Sequence, residues 1–227
     1  YENPTGQRFG ITVFNNRFRD KIASGPGLLN CSYAPSPNRP GCADFGNWPN
    51  VDTFGQSVNI DRAVTRGVEL TARAPLSRTW SVQGNYTFTD SEQQSGPDKG
   101  EPLTDTPRHV VNLRVNWNPN DRLVGWFSGE YHSERLRPIS GPGVDAAARD
   151  ELGDFKAYTL FSIGGSYKLT KSWTVRAAIH NLFDKDFLEY KAYSSPTATD
   201  PNAVAYSNVY NNNLEGRRLW VSATMTF

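Results

Sequence analysis

From Arg218 to the last residue apolar and polar side chains alternate without a break. Leu219, Val221, Ala223, Met225 and Phe227 share one phase, and Arg218, Trp220, Ser222, Thr224 and Thr226 share the other. Alternation with a period of two places successive side chains on opposite faces of an extended strand, a spacing no helix produces. The same pattern returns at Trp173 to Ile179, Val111 to Trp117, Trp80 to Phe88 and Val68 to Ala74, and more weakly at Thr159 to Leu169, Leu123 to Tyr131 and Phe9 to Val13. The reading is therefore all-β with eight strands.

The connections carry further information because they alternate in length. Short turns fall at Asn3-Pro4-Thr5-Gly6, Pro75-Leu76-Ser77-Arg78, Asn118-Pro119-Asn120-Asp121 and Leu169-Thr170-Lys171-Ser172, each with turn-forming residues. Long loops cover roughly 23 to 52, 92 to 105, 136 to 155 and 186 to 213 and hold most of the Pro, Gly and Asn. An antiparallel up-and-down meander with short turns at one end and long loops at the other has the layout of a transmembrane β-barrel; a soluble sandwich has no such bias. Aromatic placement agrees. Trp80, Trp117, Trp173 and Phe227 all lie on the apolar phase beside a short turn or the chain end, as a periplasmic girdle at the membrane interface requires.

Composition fits this reading. The apolar fraction of 37% and mean hydropathy of -0.60 are low for a globular core, yet 6 Trp, 10 Tyr and 12 Phe exclude a disordered chain. A barrel resolves the conflict, since half of each strand faces a polar lumen. No apolar run approaches 18 residues, which excludes a transmembrane helix but not a transmembrane barrel, whose strands expose apolar residues only at alternate positions. With 24 basic against 23 acidic residues, the net charge of +1 gives no reason to expect nucleic acid.

Cys31 and Cys42 sit in one Pro/Gly/Asn-rich stretch with no partners for a zinc site nearby. A disulfide is the favoured reading, worth roughly 3 kcal/mol on the chain-entropy account in an oxidising compartment; two free thiols in a loop is the alternative. The chain opens on Tyr1 rather than Met, with a strong turn at residues 3 to 6, so a targeting signal and at least one earlier strand are expected upstream.

Catalysis finds little support. His109, His132 and His180 fall on separate strands with no shared spacing, and phosphate-loop, HExxH and CxxC signatures are missing. No metal site or cofactor is expected. The acidic residues Asp98, Glu101, Asp105, Asp145, Asp150 and Glu151 fall in loops and read most simply as solvated charges. Gly67 either removes a Cβ where a strand bends or another backbone approaches, or is a plain strand glycine. Asn181 and Asp184 break the alternation at the upper end of a strand, where their side chains can satisfy turn backbone.

Several segments resemble one family. Asn59 to Glu69 (NIDRAVTRGVE), Ile179 to Phe187 (IHNLFDKDF), Gly216 to Phe227 (GRRLWVSATMTF) and Phe14 to Ile22 (FNNRFRDKI) are similar to the C-terminal part of TonB-dependent outer-membrane receptors, closest in flavour to ferric enterobactin and related catecholate siderophore receptors. The resemblance covers essentially the whole chain. It implies a 22-stranded barrel with a plugged lumen, of which residues 1–227 would be the last eight strands, with plug and earlier strands absent. At about 28 residues per strand and connection the full barrel would need roughly 600 residues. It also implies location in the outer membrane of a Gram-negative bacterium, a ferric siderophore as ligand, and coupling to TonB through an N-terminal region.

A ferric catecholate is anionic with flat rings, so basic and aromatic side chains facing the vestibule are its physical match. The candidates are Arg135 and Arg137 at the end of an upward strand and Tyr193, Tyr206 and Tyr210 in the last long loop. The upper basic groups could equally contact lipopolysaccharide. Two other readings stand beside this one: a complete small outer-membrane barrel acting as anchor or adhesin, and a soluble all-β carbohydrate-binding module.

Overall fold

The computed structural model describes residues 6–24, 27–96, 98–138, 146–196, 200–211 and 214–226. Asn3, Pro4, Thr5, Asp145 and Phe227, singled out above, lie outside them. Eight antiparallel strands form one sheet: β1 (Arg8–Ser24), β4 (Ser57–Pro75), β5 (Trp80–Gln93), β6 (His109–Trp117), β7 (Leu123–His132), β8 (Tyr158–Lys168), β9 (Trp173–His180) and β12 (Arg218–Met225), in that spatial order. All eight expected strands are present, each beside its sequence neighbour. The loops also contain structure that alternation did not reveal. They hold the hairpins β2 (Leu28–Leu29) with β3 (Thr53–Phe54) and β10 (Tyr190–Ser194) with β11 (Val204–Asn208), and the helix α1 (Ala146–Leu152).

Register sorts the side chains into two faces. Trp80, Val82, Tyr86 and Phe88 lie opposite Trp117, Val115, Val111 and His109, and Leu113, Phe127, Ile163, Ile179 and Leu219 carry the same phase across to β12. Many of these apolar groups, Ile11, Val13 and Leu219 among them, are largely exposed, which water would not favour and lipid does. Trp80 and Trp117 stack with centroids 5.9 Å apart, and Trp173 lies at the same end opposite Met225. The other face is polar. Gln83, Arg114 and Ser128 form one row and Asn85, Asn112 and Glu130 the next, lining a groove of about 790 Å³ that also takes in His180 and Arg218. Arg114 lies 4.4 Å above the Trp126 ring on this face.

The sheet is open. β1 and β12 are its two edges and do not pair with each other among the described residues, so this is not a closed eight-stranded barrel. No helix among the described residues is long and apolar enough to cross a membrane.

Candidate functional site

The long connections gather above the upper strand ends, and local chemistry fixes where each one leaves the sheet. At the top of β9, Asn181 and Asp184 adopt positive φ (49° and 55°), a conformation Asn and Asp tolerate best among residues with a Cβ. The Asn181 amide donates to the carbonyls of Lys185 (2.9 Å) and Glu215 (3.2 Å) and accepts from the Lys185 N–H (2.7 Å). Asp184 accepts from the Arg217 N–H (2.8 Å). Both ends of the last long loop are thereby tied together. From this knot the chain returns over the sheet, burying Phe187 against Tyr158, Val209 and Tyr210; the Tyr158–Phe187 and Phe187–Tyr210 pairs meet edge to face at 5.1 and 5.4 Å.

Arg135 and Arg137 lie at the base of this cluster, 8% and 4% exposed. Arg135 Nη1 reaches Asp105 (2.6 Å), its Nη2 donates to the Tyr210 carbonyl, and its guanidinium lies 5.8 Å from both the Phe155 and Tyr158 rings. Arg137 Nε donates to the Gly153 carbonyl (2.9 Å), Nη1 to Ser207 Oγ (2.5 Å) and Nη2 to the Asn208 carbonyl (3.4 Å), above Phe155 at 4.3 Å. Gly153 ends α1 in the left-handed conformation (φ 70°), its N–H closing on the Arg149 carbonyl at 2.8 Å, so Arg137 ties a helix end to the β10–β11 hairpin. Burial pushes the Arg137 pKa down, and Asp154 and Tyr193 push it back up. The charge remains, since an arginine starts far above physiological pH.

Of the side chains expected to face a vestibule, the structure therefore places Arg135, Arg137 and Tyr210 inside the loop cluster. Tyr210 is 4% exposed, its hydroxyl accepting from Lys185 Nζ at 2.5 Å. Tyr193 is half-buried, and Tyr206, 69% exposed, stands open to solvent with Tyr190 on the same face of the hairpin. Sequence reasoning missed Tyr190, although the alternation of Val204, Tyr206 and Asn208 would have shown a strand there. The loop acids are not simply solvated either. Asp105 holds Arg135, Glu101 lies 3.6 Å from Arg149, and Glu151 accepts from the Ser194 N–H at 3.1 Å.

Lys156 and Glu189 join the loop before β8 to the loop before β10 at 2.7 Å. The hydrogen bond from Lys156 holds the Glu189 carboxyl below its usual range, and the same bond pushes Lys156 up. A lowered carboxyl pKa stabilises at pH above its free value of about 4.3 and is lost as pH falls through the folded value. A raised lysine stabilises below about 10.4 and is lost as pH rises through the folded value. Hydrogen-exchange protection at the Lys156 and Val209 amides should therefore exceed that of Glu189→Gln between these limits, and the two proteins should converge once the pH has fallen through the lowered carboxyl value. A difference that persists after the Glu189 carboxyl is protonated would assign the tie to other contacts.

A second body occupies the first long loop. Cys31 and Cys42 are disulfide-bonded with Cα atoms 5.0 Å apart. Beside them Asn30 is fully buried, donating to the carbonyls of Trp48 (2.8 Å) and Val51 (2.6 Å) and accepting from Ser32. Phe54 packs on Phe45 and Trp48 at 4.7 and 6.2 Å, leaving Trp48 52% exposed, and Arg39 lies 5.4 Å above the Tyr33 ring. Replacing both cysteines with serine should cost this loop roughly 3 kcal/mol. Proteolysis within residues 31–52 should then accelerate while the strands keep their protection; equal cleavage rates would show that Asn30 suffices to hold the loop.

Among the described residues no group of His, Cys, Asp and Glu could hold a metal ion. His109 bonds the Tyr86 hydroxyl (2.8 Å), His132 bonds Glu130 (2.6 Å), and His180 lies 6.4 Å from Trp126. The arrangement offers exposed rings and basic groups on tied-down loops.

Comparison with known proteins places this geometry. Residues 1–182 match the family model described as TonB dependent receptor-like, beta-barrel. The whole chain is 31% identical to the iron-regulated outer membrane virulence protein of Vibrio cholerae and covers 29% of it. The ferric enterobactin receptor of Pseudomonas aeruginosa is 27% identical over 96% of the chain, which covers 27% of that receptor. A crystal structure of a variant of that receptor in complex with enterobactin superposes on the whole chain with a TM-score of 0.66 and 25% identity, the chain covering 30% of it. The chain thus spans less than a third of the length of these relatives.

Proposed function

The chain belongs to the TonB-dependent receptor β-barrel family of the Gram-negative outer membrane, and from that premise we propose that it forms part of a receptor that takes up a ferric siderophore of the catecholate type. The observation that carries this reading is the match, over 96% of the chain, to a receptor named for ferric enterobactin. The loops are consistent with it. Tyr206, Tyr190 and Trp48 offer flat exposed rings, and Lys191 and Lys185 supply positive charge beside the β10–β11 hairpin. Arg135, Arg137 and Tyr210 serve such a site by fixing the loops that carry these side chains, and Tyr193 lies between the two roles.

The remaining parts of the machine follow from physics. An open sheet edge in lipid leaves backbone groups unpaired at several kcal/mol each, so β1 and β12 pair with further strands of the same barrel. The polar groove around Arg114 and Glu130 faces the lumen, where a plug would sit. Trp80, Trp117 and Trp173 form the interfacial belt at the short-turn end. The outer membrane has no ATP supply, and membership of the family supplies the driver of release, TonB acting on the N-terminal part of the receptor. The role is transport, not catalysis.

Growth tests the ligand class. In an iron-starved host lacking its own catecholate receptors, the intact gene should restore growth on ferric enterobactin and not on a hydroxamate chelate. Rescue by the hydroxamate alone would remove the catecholate assignment and leave the barrel untouched.

A further inference from the structure

The lumenal phase of the strands is polar almost throughout, yet the last strand carries Trp220 on it. Trp220 is 45% exposed, and among the described residues its indole has no hydrogen bond, ring or cation partner. Membrane placement does not account for it, since the rings of the interfacial belt lie on the opposite phase.

Register gives this ring its surroundings. Trp126 lies opposite Gly164, Gly164 opposite Ala178 and Ala178 opposite Trp220, so two indoles stand on one lumenal row, three strand spacings or about 14 Å apart at the backbone. A Cβ added at Gly164 would lie 2.5 Å from Trp126 Cζ2, so the Trp126 ring lies down over Gly164 in the direction of Trp220, with Arg114 4.4 Å above it. Arg176 stands one step from Ala178 toward the short turns, and Arg218 one step from Trp220 toward the long loops, both on the lumenal phase.

Charge on this patch is one-sided. Arg176 donates to Thr224 (3.0 Å) and Arg114 to Asn116 (3.0 Å), and among the described residues neither has a carboxylate within ion-pair distance. Arg218 holds Glu215 at 2.7 Å, but both side chains are more than half exposed, which makes that pair weak and exchangeable.

We propose that Trp220, Arg176 and Arg218, with the Arg114–Trp126 pair across the row, form a second binding site inside the lumen, holding a catecholate ring of the cargo below the loops. The inference rests on the catecholate reading and adds a stage to it. A flat anionic ring stacks on the open indole face while its oxygens take guanidinium donors, so ring and charge are matched together. A plug surface docked on the same patch would need carboxylates for the guanidiniums and would leave the indole unmatched. The groove of about 790 Å³ beside this row, which takes in Arg114, His180 and Arg218, has the size of a small-molecule site.

The test uses the full-length receptor in a host lacking its own catecholate receptors, with ferric enterobactin as probe. In de-energised cells Trp220→Leu and Arg176→Gln should each bind the probe at the surface with wild-type affinity. In energised cells both should take it up roughly threefold to tenfold more slowly, the worth of one stacking or cation contact. Trp220→Phe, which keeps a ring, should retain most of the rate. Arg176→Gln, at an exposed position, carries the test should Trp220→Leu assemble poorly. Wild-type uptake by heat-modifiable variants would overturn the proposal. So would faster trypsin cleavage of the plug in unliganded Trp220→Leu, which would assign the indole to plug packing, or a matching loss of surface affinity, which would assign it to the loop site. Absence of ferric enterobactin uptake by wild type would instead remove the catecholate reading itself, and this site with it.

Discussion

Replacement of Gly67 with alanine in the full-length receptor is expected to prevent most of the protein from reaching the folded, heat-modifiable form. Gly67 pairs with Phe14 on β1 and Thr89 on β5, at the level where the outward face changes from apolar to charged. A Cβ added there would overlap the carbonyl oxygen of Phe88 and lie 2.7 Å from the tip of the Phe14 ring. The ring can turn. The carbonyl belongs to a strand paired on both sides and cannot move without breaking its ladder, so the cost should reach about 3 kcal/mol, the upper range for overpacking. Gly125→Ala is the control. Its nearest contact is the Trp117 ring at 3.3 Å, a side chain that can yield by a few tenths of an ångström. Migration of unheated samples and the urea midpoint should separate the two variants clearly. A Gly67→Ala protein with wild-type yield and midpoint would show that β4 and β5 can part without loss.

The second large effect is expected at Arg137. Truncation to alanine removes three donors at once and leaves the Gly153 carbonyl, Ser207 hydroxyl and Asn208 carbonyl without a partner inside the loop cluster. Orphaning buried acceptors costs about 1–3 kcal/mol each, less when water can enter, so local stability should fall by about 3 kcal/mol. Hydrogen exchange should rise in α1 and in the β10–β11 hairpin and stay unchanged in β5 and β6. Siderophore affinity should fall as a consequence. Lysine should not rescue it, because a point charge on a flexible stem cannot reproduce the fork. Weakened binding with unaltered exchange would mean instead that Arg137 touches the ligand directly.

The strands were legible wherever membrane and lumen impose opposite demands on alternate residues. Val111 to Trp117 shows this, with Asn112, Arg114 and Asn116 between. The reading stopped short where those demands end. β1 continues to Ser24 and β4 begins at Ser57, yet the alternation fades above Val13 and below Val68, because Asn15, Arg17 and Arg66 have left the lipid while their backbones stay paired. Loop structure was less visible still. The run Ala146-Ala147-Ala148 favours helix, but seven residues carry little periodicity, and two-residue strands such as β2 carry none. Arg135 and Arg137 read as vestibule-facing in the sequence, and are buried in the structure, for a physical reason. An arginine at a strand end looks solvent-facing until the loops that fold over it are known, and the partners of Arg135 and Arg137 include backbone carbonyls some 70 residues away, a contact with no signature in sequence.

The lengths of the strands have one more consequence. β1 and β4 run for 17 and 19 residues, about 60 Å, while β9 and β12 run for 8, about 26 Å, close to the minimum for crossing a bilayer. The wall of the vessel is therefore uneven, a stiff palisade on one flank and a low sill on the other. Over the sill hang the Phe187 cluster and its tyrosine-bearing hairpin, held by a few ties such as Arg137 and Lys156. Within this sheet the tall strands stand by their own ladder, while the hairpin beside the short ones keeps its place through side-chain ties.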